Sequence, residues 1–318
     1  VTTDALRDGV IKLPSHGFGA APIAGLYQAV SDEQARATVD AAWSHGVRLY
    51  DTAPHYGVGL SERRLGAALA GRQGYVLSTK VGRLLVPSGG VGRDEQGFDV
   101  PAAFERVWDF SRDGVRRSLE ESLERLGLDR VDIALIHDPD DHVDQALTEA
   151  YPALAELRSQ GVIGAVGIGM NQWQVPLRFV QETDIDVVML AGRYTLLDQS
   201  GLPLLDACAD QGVRVLAAGV FNSGLLATST PSGTYDYEPA PAEILGRARR
   251  IAKICERYGV ALPQAAMAFP LRHPAVASIV IGARSPEEVA TNATLWDRPV
   301  PDNLWSELEA EDLLPRSS

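Results

Sequence analysis

The chain is 318 residues long, 45% hydrophobic and 22% charged, with a formal net charge of −13. That balance suits a protein with a substantial core and excludes wholesale disorder, while the excess of acid argues against a nucleic-acid backbone as partner. No run approaches the roughly 20 apolar residues that span a bilayer, the opening VTTDALRDG has no basic lead into an apolar segment, and a cytoplasmic protein with no membrane partner is expected.

In chain order, VIKLPSHG suggests a small hairpin, cut short by Pro14 and Gly17, and FGAAP over 18–22 is a weak first strand. From Ser31 a helix is predicted, with Ser31 and Gln34 as a capping box and Ala35, Val39 and Ala42 on one face. A second helix starts near Ser111, its Val115, Leu119, Leu123 and Leu126 recurring every three or four residues. Amphipathic segments end at Gly46, Gly127, Gly161 and Gly212, each followed by a β-prone run; glycine accepts the left-handed conformation that closes a helix. Strands are expected near 47–51, 75–80, 131–136, 163–168, 186–190, 213–217 and 277–281. Counting the weak first strand, this alternation predicts one (β/α)8 TIM barrel over 1–318, with a short N-terminal hairpin. Cys208 and Cys255 fall in apolar helical stretches and read as buried thiols.

Two stretches break the rhythm at the strand-terminal rim. One covers roughly 84–110 and opens as the irregular LLVPSGGVGRDEQGFDVPAA; the other covers 229–241, STPSGTYDYEPAP. Both are expected to wall a substrate pocket, with Phe98, Phe104, Trp108, Tyr235 and Tyr237 as candidate lining.

Asp51, Lys80 and His137 end or follow separate predicted strands, and Tyr56 lies on the loop after Asp51. Strand ends of a parallel barrel converge on one rim, so four residues distant in sequence can meet there. Lysine is scarce, at positions 12, 80 and 253 only. A Lys80 ammonium beside Tyr56 would favour the phenolate of a group that ordinarily titrates near pH 10, Asp51 would keep the lysine charged, and His137 would orient the reacting oxygen. Singly, each residue reads as well as a turn, cap or packing side chain.

The segments DTAPHYGVGLSERRLG, VLSTKVG, LIHDPD and VGIGMN resemble the aldo-keto reductase superfamily in order and spacing, over most of the chain. The resemblance implies a catalytic tetrad of Asp51, Tyr56, Lys80 and His137, with Tyr56 as general acid/base, and a nicotinamide cofactor. It further implies that Gly169 and Asn171 meet the nicotinamide, that Phe221 and Asn222 lie nearby, and that Gly282, Ala283, Arg284, Glu288 and Asn292 bind the rest of the dinucleotide. A tight turn with Asn171 as a helix cap is the plainer reading of VGIGMNQW. Where relatives place positive charge for the extra phosphate of NADPH, this chain has Glu288, which favours NAD over NADP. GLSERRLG, IHDPD and GMNQW are most similar to the bacterial aldose 1-dehydrogenase type, acting on sugars such as L-fucose. Oxidation of pyridoxal to its lactone is the close alternative, and general aldehyde reduction a further one. Under the resemblance His55, Asp138, Trp108 and Tyr235 are the substrate-contact candidates. Metal-dependent hydrolysis through His137, Asp138, Asp140 and His142, and a noncatalytic nucleotide-binding or subunit protein, are the remote readings; no metal is expected.

Overall fold

The computed structural model describes residues 3–6, 11–236 and 238–315. Strands β1 (Thr3–Ala5) and β2 (Lys12–Pro14) form an antiparallel hairpin, of which VIKLPSHG supplies only the second strand, its His16 and Gly17 entering the barrel instead. Eight parallel strands then close a barrel: β3 (His16–Gly19), β4 (Leu49–Asp51), β5 (Val76–Val81), then, after the paired strands β6 (Arg83–Pro87) and β7 (Phe104–Trp108), β8 (Val131–His137), β9 (Ile163–Met170), β10 (Val187–Ala191) and β11 (Arg214–Ala218). After a small ladder of β12 (Thr234–Tyr235) and β13 (Glu238–Pro239), β14 (Val276–Gly282) completes the ring against β3. The first barrel strand is His16–Gly19 rather than 18–22, because Pro22 has no N–H to donate and starts a 3-10 turn, Pro22–Ala24.

The strands follow from β-branched and leucine-rich runs buried on both faces. Leu49, Ile133, Leu135, Val187, Met189 and Leu216 point into the barrel, where Ile11 and Leu13 join them from the hairpin. At Gly164 an added Cβ would come within 2.7 Å of Ile11 Cδ1, so the hairpin stoppers the end of the barrel opposite the strand C-termini. Each fully buried Leu or Ile of this kind stabilises the fold by about 1.5–3 kcal/mol relative to exposure.

Helices α1 (Asp32–Ser44), α2 (Leu60–Leu69) and α3 (Arg112–Leu126) cover the first part of the sheet. Ala35, Val39 and Ala42 of α1 and Val115, Leu119 and Leu126 of α3 are buried as the periodicity requires. Gly46, Gly127, Gly161 and Gly212 all take positive φ, between 67° and 83°. The capping box at Ser31 forms only by half. Ser31 Oγ accepts from Gln34 N at 3.2 Å, but the Gln34 side chain donates to Arg284 O at 2.9 Å, tying α1 to the end of β14.

The stretch that reads as irregular is partly ordered, since β6 and β7 pair antiparallel from Arg83↔Trp108 to Pro87↔Phe104 and raise an arm above the rim. Tyr27 N donates to Gly97 O and Asp99 N to Gly25 O, both at 2.8 Å, which straps the arm to the loop after β3. Arg106, its side chain 2% exposed, bonds Asp94 Oδ1 at 2.5 Å and His55 O at 2.9 Å and anchors the arm's base. Tyr237 lies outside the described residues. Cys208 and Cys255 are buried free thiols. Among the described residues, no helix is long and apolar enough to cross a membrane.

Candidate active site

Side chains alternate along a strand, so in β5 Ser78 and Lys80 face the barrel interior while Thr79 faces α2 and donates to Glu62 at 2.7 Å. Asp51, at the end of β4, pairs in register with Ser78. Lys80 Nζ therefore reaches Asp51 Oδ1 at 2.8 Å and Oδ2 at 2.7 Å, with Thr52 O at 2.9 Å as a further acceptor, and Ser78 Oγ donates to Asp51 Oδ1 at 3.0 Å. Burial pushes the Lys80 ammonium down, but the charge of Asp51, the neighbouring Tyr56 and their hydrogen bonds outweigh it and hold its pKa above the ordinary value. Burial pushes the Asp51 carboxyl up against the pull of Lys80, and the three acceptors around Lys80 Nζ suit an ammonium beside a carboxylate.

Tyr56 is carried over this pair by the turn after β4, where Tyr56 N bonds Ala53 O and Gly59 N bonds Pro54 O. Lys80 Nζ lies 4.7 Å from the centroid of the Tyr56 ring. His137 ends β8, and its ring stands edge-on to Tyr56, with centroids 6.1 Å apart and planes at 89°. Burial first, then the charges of Arg83 and Lys80, drive His137 well below its usual pKa. It is a neutral imidazole, with Nδ1 buried and unpartnered. His55, centroid 5.7 Å from His137, is pushed down to about 2 by burial, Arg83, Arg106 and Lys80. Asp138 follows in a left-handed conformation, with φ 44°, and pairs with Arg83 Nη2. Burial pushes its carboxyl up, with Arg83 opposing.

These groups border a cleft of about 570 Å³ at the strand C-termini. Of the residues singled out in the sequence, Asp51, His55, Tyr56, Lys80, His137, Asp138, Gly169, Asn171 and Gly282 line it together, with Phe98 from the arm. Asn222 borders a small contiguous recess with Asn171 and Gly219. Others are placed elsewhere. Phe221 packs on the outer core, and Ala283 and Asn292 line a separate groove beside Trp296. Arg284 and Glu288 meet each other at the surface, Glu288 Oε2 accepting from Arg284 N at 2.9 Å. Trp108 borders a neighbouring cavity, and Tyr235 turns to Asp198, its hydroxyl 3.4 Å from Oδ2. The helix Gln174–Glu182 has Trp173 at its N-cap and no side-chain cap, so Asn171 does not serve as one. Arg83 and Arg106 are not distinguishable in an arginine-rich sequence; their partners Asp138 and Asp94 lie 55 and 12 residues away.

The cleft suits a flat heteroaromatic ring. Gly169, Ala191, Ala218, Gly219 and Gly282 keep one wall low over Met189 and Val280. A Cβ at Gly169 would stand 3.6 Å from Lys80 Cε, filling space beside the ammonium. Asn222 Oδ1 is buried without a partner, an acceptor left over for a ligand donor. The residues present thus fit a nicotinamide dinucleotide. Among the described residues, no group of three or more His, Cys, Asp or Glu is placed to hold a metal ion.

Comparison with known proteins agrees with this geometry. Residues 17–312 match the model of the aldo/keto reductase family. The chain is 46% identical to a D-threo-aldose 1-dehydrogenase from a Pseudomonas species, covering 99% of this chain and 98% of the relative. It is 41% identical to a pyridoxal 4-dehydrogenase from Microbacterium luteolum, covering 94% of each. The holo form of an aldo-keto reductase from Bacillus halodurans superposes with a TM-score of 0.74 at 25% identity, over 98% of this chain and 95% of the other. The chain belongs to the aldo/keto reductase family and is an NAD(P)-dependent oxidoreductase acting on an aldose- or aldehyde-like substrate.

Proposed function

We propose that the protein oxidises the anomeric hydroxyl of a free aldose of the L-fucose type to a lactone, with NAD as acceptor and Tyr56 as general acid/base. The observation that carries this reading is the placement of Tyr56 beside the Lys80–Asp51 ion pair, all three lining the cleft. Gly169, Asn171 and Gly282 would hold the dinucleotide, which would supply the acceptor for the hydride leaving the anomeric carbon. Tyr56, as phenolate, takes the proton of the anomeric hydroxyl, and the adjacent ammonium of Lys80 stabilises the negative oxygen that does so. Asp51 keeps Lys80 charged, the two side chains being almost wholly enclosed. Neutral His137 orients the sugar oxygen by a hydrogen bond without competing for its proton, and Asp138 accepts from a neighbouring hydroxyl.

NAD is favoured because Glu288 accepts from Arg284 N and lies 3.5 Å from Arg284 Nε, offsetting its positive charge. A second reading, oxidation of pyridoxal to its lactone, is supported by the aromatic wall of His55 and Phe98, whose rings lie 5.4 Å apart and would pack a pyridine. A panel of L-fucose, D-arabinose, L-galactose and pyridoxal, followed by the absorbance of reduced nicotinamide, separates the two. Turnover of pyridoxal but no aldose would reject the sugar reading.

A further inference from the structure

A second cavity of about 260 Å³ adjoins the catalytic cleft, lined by Arg83, Trp108, Asp138, Asp140, Asp141 and His142. It is far larger than the roughly 10–15 Å³ that admits one water. Asp138 borders both spaces. Its backbone is left-handed, and its Oδ2 lies 3.5 Å from His137 Nε2 and accepts from Arg83 Nη2. Arg83 is 8% exposed, its guanidinium carbon is 5.4 Å from the Trp108 ring centroid, and its Nε is buried with no partner. The wall between cleft and side cavity is thus a fixed ion pair with an acceptor beside His137.

The remaining lining is amphipathic. Trp108 is 42% exposed, one of few large apolar side chains so open among the described residues, and exposed Asp140 and Asp141 line the same cavity. An anionic ligand is repelled by these carboxylates, and a purely apolar one would strip them of water without replacing the hydrogen bonds. A polyhydroxylated chain satisfies both surfaces: its C–H face packs on the indole and its hydroxyls donate to the carboxylates. We infer that the side cavity is the subsite for aldose hydroxyls remote from the reacting carbon, with Asp138, held by Arg83, at the junction. This rests on the aldose reading above.

The test compares L-galactose with threose, a four-carbon sugar that still closes a ring but does not reach beyond the cleft. Trp108→Ala and the double variant Asp140→Asn, Asp141→Asn alter exposed positions, and thermal unfolding checks that both fold. In each, the ratio of kcat/KM for L-galactose to that for threose is expected to fall about tenfold, the equivalent of roughly one good hydrogen bond. An unchanged ratio overturns the subsite. If the wild type oxidises no aldose, the aldose reading fails by itself, and the subsite is decided by calorimetric titration of L-galactose into NAD-loaded protein. Weaker binding in the variants supports the subsite; equal Kd values overturn it.

Discussion

Lys80 Nζ lies 2.7 Å from Asp51 Oδ2, and the two side chains are only 2% and 4% exposed. An ion pair so enclosed is costly to break from one side, because the surviving charge has neither partner nor water. Asp51→Asn preserves the shape and removes the charge. It is expected to lower unfolding free energy by about 3–5 kcal/mol, read from urea midpoints, and to reduce kcat because Lys80 loses the charge that keeps it protonated. Wild-type stability and turnover in this variant would refute the role given to the pair.

Tyr56→Phe keeps the ring that packs against Phe98, with centroids 6.0 Å apart, and removes only the oxygen. The expected result is a fall in kcat of about 10²–10⁴-fold, the usual contribution of a positioned acid/base. Dinucleotide affinity, measured by fluorescence titration, should stay as it is. A variant that turns over as fast as the parent places the proton transfer on another group.

How much of this was legible in the sequence depended on the range of the interaction. The Asp51, Lys80 and His137 positions could be found because each closes a β-prone run, and a parallel barrel brings such ends together whatever their spacing. The arm was harder to see. LLVPSGG and FERVW pair across a long intervening loop, strapped to residues 25–27 by backbone bonds that leave no composition trace. The Gln34 side chain matched a capping box locally and was drawn instead to Arg284, 250 residues away. Tertiary partners of this kind also made Arg83 and Arg106 invisible among the other arginines.

The two cleft histidines give a pH prediction with a definite sign. Burial and nearby cations hold His55 at about 2, and His137 well below its usual value, while both titrate near 6.5 in the unfolded chain. Below about pH 6.5 the unfolded state binds protons that the folded state does not, so stability is full above that pH and falls on acidification. Each such histidine contributes a slope of about 1.4 kcal/mol per pH unit. Asp138, raised by burial against the pull of Arg83, contributes the opposite sign nearer the carboxylate range. Urea midpoints between pH 7 and 5 should therefore drop, and His55→Gln should make the decline shallower. A slope equal to that of the wild type would show that His55 is not held neutral.

The NAD preference proposed above rests on one carboxylate. Glu288 sits in the first turn of the helix Pro286–Trp296, whose N-cap Ser285 accepts from Glu288 N. Its own Oε2 accepts from Arg284 N, at the place where a helix start would otherwise offer donors to an anion. An added phosphate would have to displace this carboxylate or lie against it, with Arg284 already neutralised at 3.5 Å. Glu288→Lys replaces the repulsion with an attraction and removes the carboxylate paired with Arg284. The ratio of kcat/KM with NADP to that with NAD is expected to rise at least about tenfold, equivalent to roughly 1.4 kcal/mol. The change should shrink in high salt, since exposed charges are screened over about 10 Å at 0.1 M. A wild-type enzyme that already prefers NADP, or a Glu288→Lys ratio that does not move, would remove Glu288 from cofactor discrimination.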